Sequence, residues 1–212
     1  MKKLFKGFLF DMDGTLVDST AIVENTWRSF SDKYSQNYDD VIQYAHGRRT
    51  KETVFHFLGE TESSMKVAQQ IEAHEVKTTD GVIAVPGAKQ ILSLIDPVHY
   101  AIVTSANREL CINRLKAADL YIPKIIVSAE NVSKGKPEPD GYLQAAQLLG
   151  INIFDMLVFE DAQAGIIAAL NSGASLAVIG GCQYADGKSL VRRLDFTSFD
   201  IVSTSDGYYL TW

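Results

Sequence analysis

The run Phe10-Asp11-Met12-Asp13-Gly14-Thr15 sets two carboxylates two residues apart at the end of an apolar stretch, Leu4 to Phe10. In extended backbone alternate side chains share a face, so Asp11 and Asp13 point the same way. Two like charges held that close are costly unless a proton or cation sits with them. An all-oxygen donor set suits a hard divalent ion, Mg²⁺ before softer metals. Gly14 permits a sharp turn and leaves amides to meet an anion. An acidic loop with Asp18 or Ser19 capping a helix is the plainer reading, but it does not explain an apolar strand that delivers two acids. Phe159-Glu160-Asp161 repeats the arrangement, so carboxylates from two strands can converge on one metal. Thr104-Ser105 follows Ile102-Val103 where a helix begins, a favourable place for an anion, although an ordinary helix N-cap uses the same residue types. Lys136 lies between Gly135 and Pro137 in a loop carrying a second proline, Pro139. It is either a solvated loop lysine or a held ammonium suited to a phosphate oxygen and an attacking carboxylate. Taken together, these residues spell phosphoryl transfer with a metal.

Such groups need a frame that brings them together. Leu4–Phe10 reads as a buried central strand. Residues 20–77 have helical spacing only: Ala21–Tyr34, Asp40–Ala45, Lys51–Leu58 and Glu62–Val76. After Pro86-Gly87 the elements alternate, with helices at 88–95, 107–118, 139–149 and 163–171 and strands at 98–104, 124–128, 156–159 and 175–179. Strands separated by helices predict a parallel sheet with right-handed crossovers. The expected fold is therefore α/β, a doubly wound parallel sheet of residues 1–17 and 83–212 with an inserted all-helical cap at 18–82. Ligands of such sheets bind beyond the carboxyl ends of the strands, where Asp11, Asp13, Thr104, Ser105, Glu160 and Asp161 all fall. Asp200–Thr204 and Tyr208–Trp212 flank Ser205-Asp206-Gly207 as a hairpin.

Hydrophobic residues make up 46% of the 212, and charged residues 22%, enough to bury a core. A formal charge of −6 gives no electrostatic reason to expect nucleic acid or an anionic membrane as partner. The Met1–Phe5 start resembles a signal peptide, but Lys6 and Asp11 interrupt it and no small-residue cleavage site follows. No apolar stretch approaches the ~20 residues of a membrane span. Cys111 and Cys182 have no metal-site spacing and read as two buried free thiols. The expectation is a cytoplasmic protein, monomeric or weakly dimeric.

In order and over nearly the whole chain, these four stretches resemble the motifs of the haloacid dehalogenase-like hydrolases. The resemblance implies that Asp11 attacks phosphorus and that Asp13 serves as acid and then base. It implies Mg²⁺ on the Asp11 side chain, the Asp13 carbonyl and Asp161, with Glu160 in or beside that set. Thr104 and Lys136, with Ser105 and Gly14, would bind the phosphoryl group. The helical insertion is similar to the cap of the β-phosphoglucomutase-like subfamily. His46-Gly47-Arg48-Arg49-Thr50 resembles a segment of deoxyglucose- and glycerol-phosphate phosphatases, which makes Arg48, Arg49 and Thr50, together with Asn107, the expected substrate readers. Dehalogenases and phosphonatases lack the second aspartate, phosphonatases also use a cap lysine, and β-phosphoglucomutases carry a histidine where this chain has Val23. The resemblance thus implies hydrolysis of small sugar or polyol phosphates, ahead of a phosphotransferase, a non-catalytic sugar-phosphate sensor, or a structural metal-binding domain.

Overall fold

The computed structural model describes residues 1–185 and 187–212. Strands β1 (Lys2–Phe5), β2 (Gly7–Phe10) and β3 (Val17–Asp18) open the chain. Four helices follow: α1 (Thr20–Tyr34), α2 (Tyr38–Ala45), α3 (Thr50–Leu58) and α4 (Glu62–Lys77). The alternating part comprises β4 (Ile83–Ala84), α5 (Ala88–Ser93), β5 (Tyr100–Val103), α6 (Arg108–Ala117) and β6 (Ile126–Val127). It continues with α7 (Asp140–Leu149), β7 (Met156–Glu160), α8 (Gln163–Ser172) and β8 (Ser175–Ile179). Strands β9 (Val191–Arg193), β10 (Asp200–Thr204) and β11 (Gly207–Thr211) complete it.

The main sheet has the order β6-β5-β2-β7-β8-β9 and every pairing in it is parallel. This is the doubly wound α/β arrangement that the alternation predicts. Period-two side chains divide the core. Phe8 and Phe10 enter one cluster with Tyr100, Phe159, Cys111 and Leu115, while Leu9 enters the other with Val158, Ala145, Ala146 and Ile166. Phe10 stacks on Phe159 of the neighbouring strand with ring centroids 4.9 Å apart. The two strands that end in the acidic pairs are thereby held in register, and aromatic burial of this size dominates core energetics.

Helices α1–α4 enclose a separate small core of Trp27, Phe30, Val41, Ala45, Val54 and Ala68. Where the chain leaves the sheet and where it returns, β3 pairs with β4, Val17 opposite Ala84 and Asp18 opposite Ile83.

Leu4–Phe10 is not one strand. The chain changes partners at Lys6, whose N–H donates to Asp155 O, so that β1 pairs with β11 while β2 enters the main sheet. The terminal hairpin forms as expected and makes a three-stranded antiparallel sheet with β1. Its Tyr208 meets Phe8 edge-on, with centroids 5.6 Å apart. Both cysteines are free, but only Cys111 is buried; Cys182 is partly exposed. Among the described residues, no helix is long and apolar enough to cross a membrane.

Candidate active site

Asp11 follows β2 directly, and its N–H donates to Phe159 O, extending the strand pairing by one residue. Its Oδ1 lies 2.5 Å from Lys136 Nζ. The same ammonium sits 2.6 Å from Glu160 Oε1 and donates to Val103 O at 3.2 Å. Lys136 is therefore a buried strut between three strand ends, not a solvated loop lysine. Burial alone would lower its pKa; Asp11 and Glu160 hold it above the usual range.

Glu160 has both oxygens engaged. Oε1 takes Lys136 and the Tyr142 hydroxyl at 2.5 Å, while Oε2 accepts the N–H groups of Asp161 and Ala162. It lies below the cleft floor, fully buried, and a Cβ at Gly165 would fall 1.7 Å from its Oε1. Glycine there is the condition for burying this carboxylate under α8. The geometry fits Glu160 as the anchor of Lys136 better than as a direct metal ligand.

Asp11, Glu160 and Asp161 nonetheless offer carboxylate oxygens within 4.8 Å of one another. Three carboxylates face one ammonium, an excess of two negative charges. Burial, only partly relieved by Lys136 and reinforced by the charge of Glu160, pushes Asp11 up to about 7. Burial, then the charges of Asp11 and Glu160, push Asp161 well above the carboxylate range. Groups that would take up protons merely to coexist, all with hard oxygen donors, fit a divalent cation such as Mg²⁺.

Gly14 acts differently from its sequence reading. Its N–H is spent on Val17 O at 2.8 Å, so it is not free for an anion. What the position requires is space and a left-handed turn: φ is +80°, and a Cβ would stand 2.0 Å from Asp161 Oδ2. Asp13 is half-buried and its Oδ1 receives Arg114 Nη1 and Ser19 Oγ, each at 2.6 Å. Thr104 Oγ1 accepts the Ala106 N–H at 3.1 Å, which leaves its own hydrogen to donate into the cleft. Ser105 Oγ instead donates to Gly47 O at 2.8 Å, fastening the helical group to the sheet.

These residues surround a cleft of about 110 Å³ between the strand ends and α1–α4. Asp11, Asp13, Gly14, Thr104, Ser105 and Asp161 line its floor; Arg48, Thr50, His46, Trp27, Val23 and Glu75 line the opposite wall. Arg48 stacks over Tyr44, 4.5 Å from the ring centroid, and Tyr44 stacks in turn on His56. Arg49 turns the other way. It donates to Ser133 O and pairs with Glu52, docking on the loop that carries Lys136 instead of lining the cleft. Asn107 is an N-cap, its Oδ1 accepting the Leu110 N–H at 2.8 Å, and it too is absent from the lining. Sequence reasoning passed over Arg114, Glu75, Tyr142 and Trp27. For Arg114 there was a signal, a charge at helical spacing within the apolar stripe Leu110, Cys111 and Leu115.

A family model described as haloacid dehalogenase-like hydrolase matches residues 8–179. Hexitol phosphatase A of Escherichia coli (strain K12) is 38% identical over 178 residues, covering 82% of each chain. Glycerol-1-phosphate phosphohydrolase 2 of Saccharomyces cerevisiae is 31% identical over 180 residues, 79% of this chain and 72% of its own. A crystal structure of a hydrolase from Pseudomonas syringae superposes with a TM-score of 0.78 at 28% identity, covering 90% of this chain and 94% of the other.

Proposed function

The chain belongs to the haloacid dehalogenase-like hydrolases and is a phosphatase, and from that premise we propose that Asp11 is its nucleophile toward small sugar or polyol phosphates. The observation that carries this reading is the buried contact of Asp11 with Lys136 at the floor of the cleft. In the first step an Asp11 oxygen bonds to phosphorus, the bond from phosphorus to the sugar oxygen breaks, and Asp13 gives that oxygen its proton. In the second, the Asp13 carboxylate takes a proton from water as the water oxygen attacks phosphorus. The bond to Asp11 then breaks and releases inorganic phosphate. Lys136 and Thr104 hold the phosphoryl oxygens through both steps, so that positioning and charge neutralisation supply most of the rate.

Asp11, Asp161 and the Asp13 carbonyl would hold Mg²⁺, which when bound neutralises the excess negative charge of the floor and of the phosphoryl group. Residues 18–82 act as a cap over a core of 1–17 and 83–212, excluding water and reading the leaving group through Arg48 and Thr50. The substrate class is supported by relatives whose names specify hexitol and glycerol-1-phosphate phosphatase activities. Val23 gives the cleft wall an apolar side chain with no proton to relay, which favours hydrolysis over a mutase reaction.

A panel of hexitol, hexose, pentose and glycerol phosphates, assayed with Mg²⁺ and with EDTA, tests the reading. Release of phosphate that requires the cation and disappears in Asp11→Asn is expected. Binding without turnover across the panel would instead identify a sensor.

A further inference from the structure

Buried in the wall of the cleft is a guanidinium for which the two-step chemistry above has no role. Arg114, on α6, is 2% exposed, and its two arms reach different parts of the molecule. Nη1 meets Asp13 Oδ1 at 2.6 Å, while Nη2 meets Glu75 Oε1 on α4 at 3.3 Å. Glu75 is itself buried and its Oε2 accepts from Thr50 Oγ1 of α3 at 3.4 Å. Next to Arg114, Asn113 donates to Val76 O at 3.0 Å, so α6 and α4 are joined along one seam.

We propose that Arg114 is a positioning residue that sets the orientation of Asp13, and that Glu75 makes this positioning depend on the helical group being closed over the sheet. The inference rests on Asp13 being the acid and base. Arginine stays charged at any working pH, so a buried guanidinium needs anionic partners. Here it has one from each side of the cleft. With α4 withdrawn, Glu75 leaves, and the fork loses the contact that fixes its plane. With α4 seated, the fork and Ser19 together hold Oδ1, and the other Asp13 oxygen is left to carry the proton. The acid is then fully aligned only when the cleft is shut, and proton transfer contributes most when the carrier is aligned.

The test compares an alkyl phosphate, whose leaving oxygen needs a proton, with p-nitrophenyl phosphate, whose leaving group needs little. The full chain with Mg²⁺ is measured as wild type, Asp13→Ala, Arg114→Lys and Glu75→Gln. Lysine keeps the charge but cannot fork; glutamine keeps the shape of Glu75 but not its charge. Arg114→Lys is expected to lower the alkyl-to-aryl ratio of kcat about tenfold and Glu75→Gln about threefold, in the direction of Asp13→Ala. A merely structural role would lower both substrates together. An unchanged ratio in either variant while Asp13→Ala lowers it overturns the inference and leaves the acid assignment standing. An unchanged ratio in Asp13→Ala removes the acid assignment and the inference with it. Should Arg114→Lys fail to fold, Glu75→Gln decides alone.

Discussion

The floor and the wall of the cleft are built on opposite plans. At the floor and just beneath it, Asp11, Lys136, Glu160 and Tyr142 are buried side chains from separate elements, joined by contacts of 2.5–2.6 Å. Moving any one of them moves the others. On the wall, Arg48 and Thr50 are partly exposed, and among the described residues Arg48 is oriented by stacking on Tyr44 rather than by an ion pair. A rigid floor suits a reaction centre whose geometry cannot vary; a wall of stacked, half-exposed groups can change its substrate without disturbing that centre. Arg114 reaches from Asp13 on the floor to Glu75 on the wall.

The largest expected effect falls on the floor. Asp11→Asn removes the proposed attacking carboxylate and should lower kcat by about 10⁴-fold or more. Its metal-free melting temperature at pH 8 should stay level or rise, since one buried negative charge is gone; a loss of fold would mean that Asp11 is structural. Lys136→Ala should come next, leaving three carboxylates without their ammonium. Removing one partner of a buried pair typically costs about 3–5 kcal/mol. The loss, read by denaturant titration without metal, should shrink at pH 5 as the carboxylates take up protons; a pH-independent loss would contradict the shared-charge account.

The metal-free protein itself should be less stable at pH 8 than at pH 5. Burial raises Asp11 to about 7 and Glu75 likewise. The folded state therefore binds more protons than the unfolded one between roughly pH 4 and 7, and stability falls as pH rises through that window. Mg²⁺ at ten times its dissociation constant adds about 1.4 kcal/mol, or roughly 3–6 °C. Because protons compete for the same oxygens, a given Mg²⁺ concentration should raise the melting temperature more at pH 8 than at pH 5. Equal shifts at the two pH values would place the ion elsewhere. The smallest effects belong to the wall: Arg48→Ala should change the hexitol-to-glycerol phosphate ratio of kcat/KM by about tenfold and Arg49→Ala by less. The reverse ranking would return substrate reading to Arg49.

The same contrast governs what could be read from the sequence. The floor was legible because strand ends in a parallel sheet share one edge, so Asp11, Thr104 and Asp161 had to meet once the alternation of elements was recognised. Lys136 was legible as a loop cation, either solvated or held against a carboxylate; its burial depends on Glu160 and Tyr142, which no local pattern announces. The wall was less legible. Arg48 and Arg49 are neighbours in one turn that face opposite ways, and only the packing of α3 against the Ser133 loop decides which enters the cleft. Gly14 was found for the right turn but the wrong reason, since its N–H is spent within the turn. The break between β1 and β2 was hidden because Leu4 and Phe5 lead into the apolar Gly7–Phe10 and the partner of β1 lies at the far end of the chain.

The stereochemical course at phosphorus tests the account most directly, using a thiophosphate ester made chiral with two oxygen isotopes and hydrolysed in water carrying the third. Transfer first to Asp11 and then to water is two in-line displacements and predicts net retention of configuration. Net inversion would mean that water attacks phosphorus in a single step, with Asp11 never bonded to it.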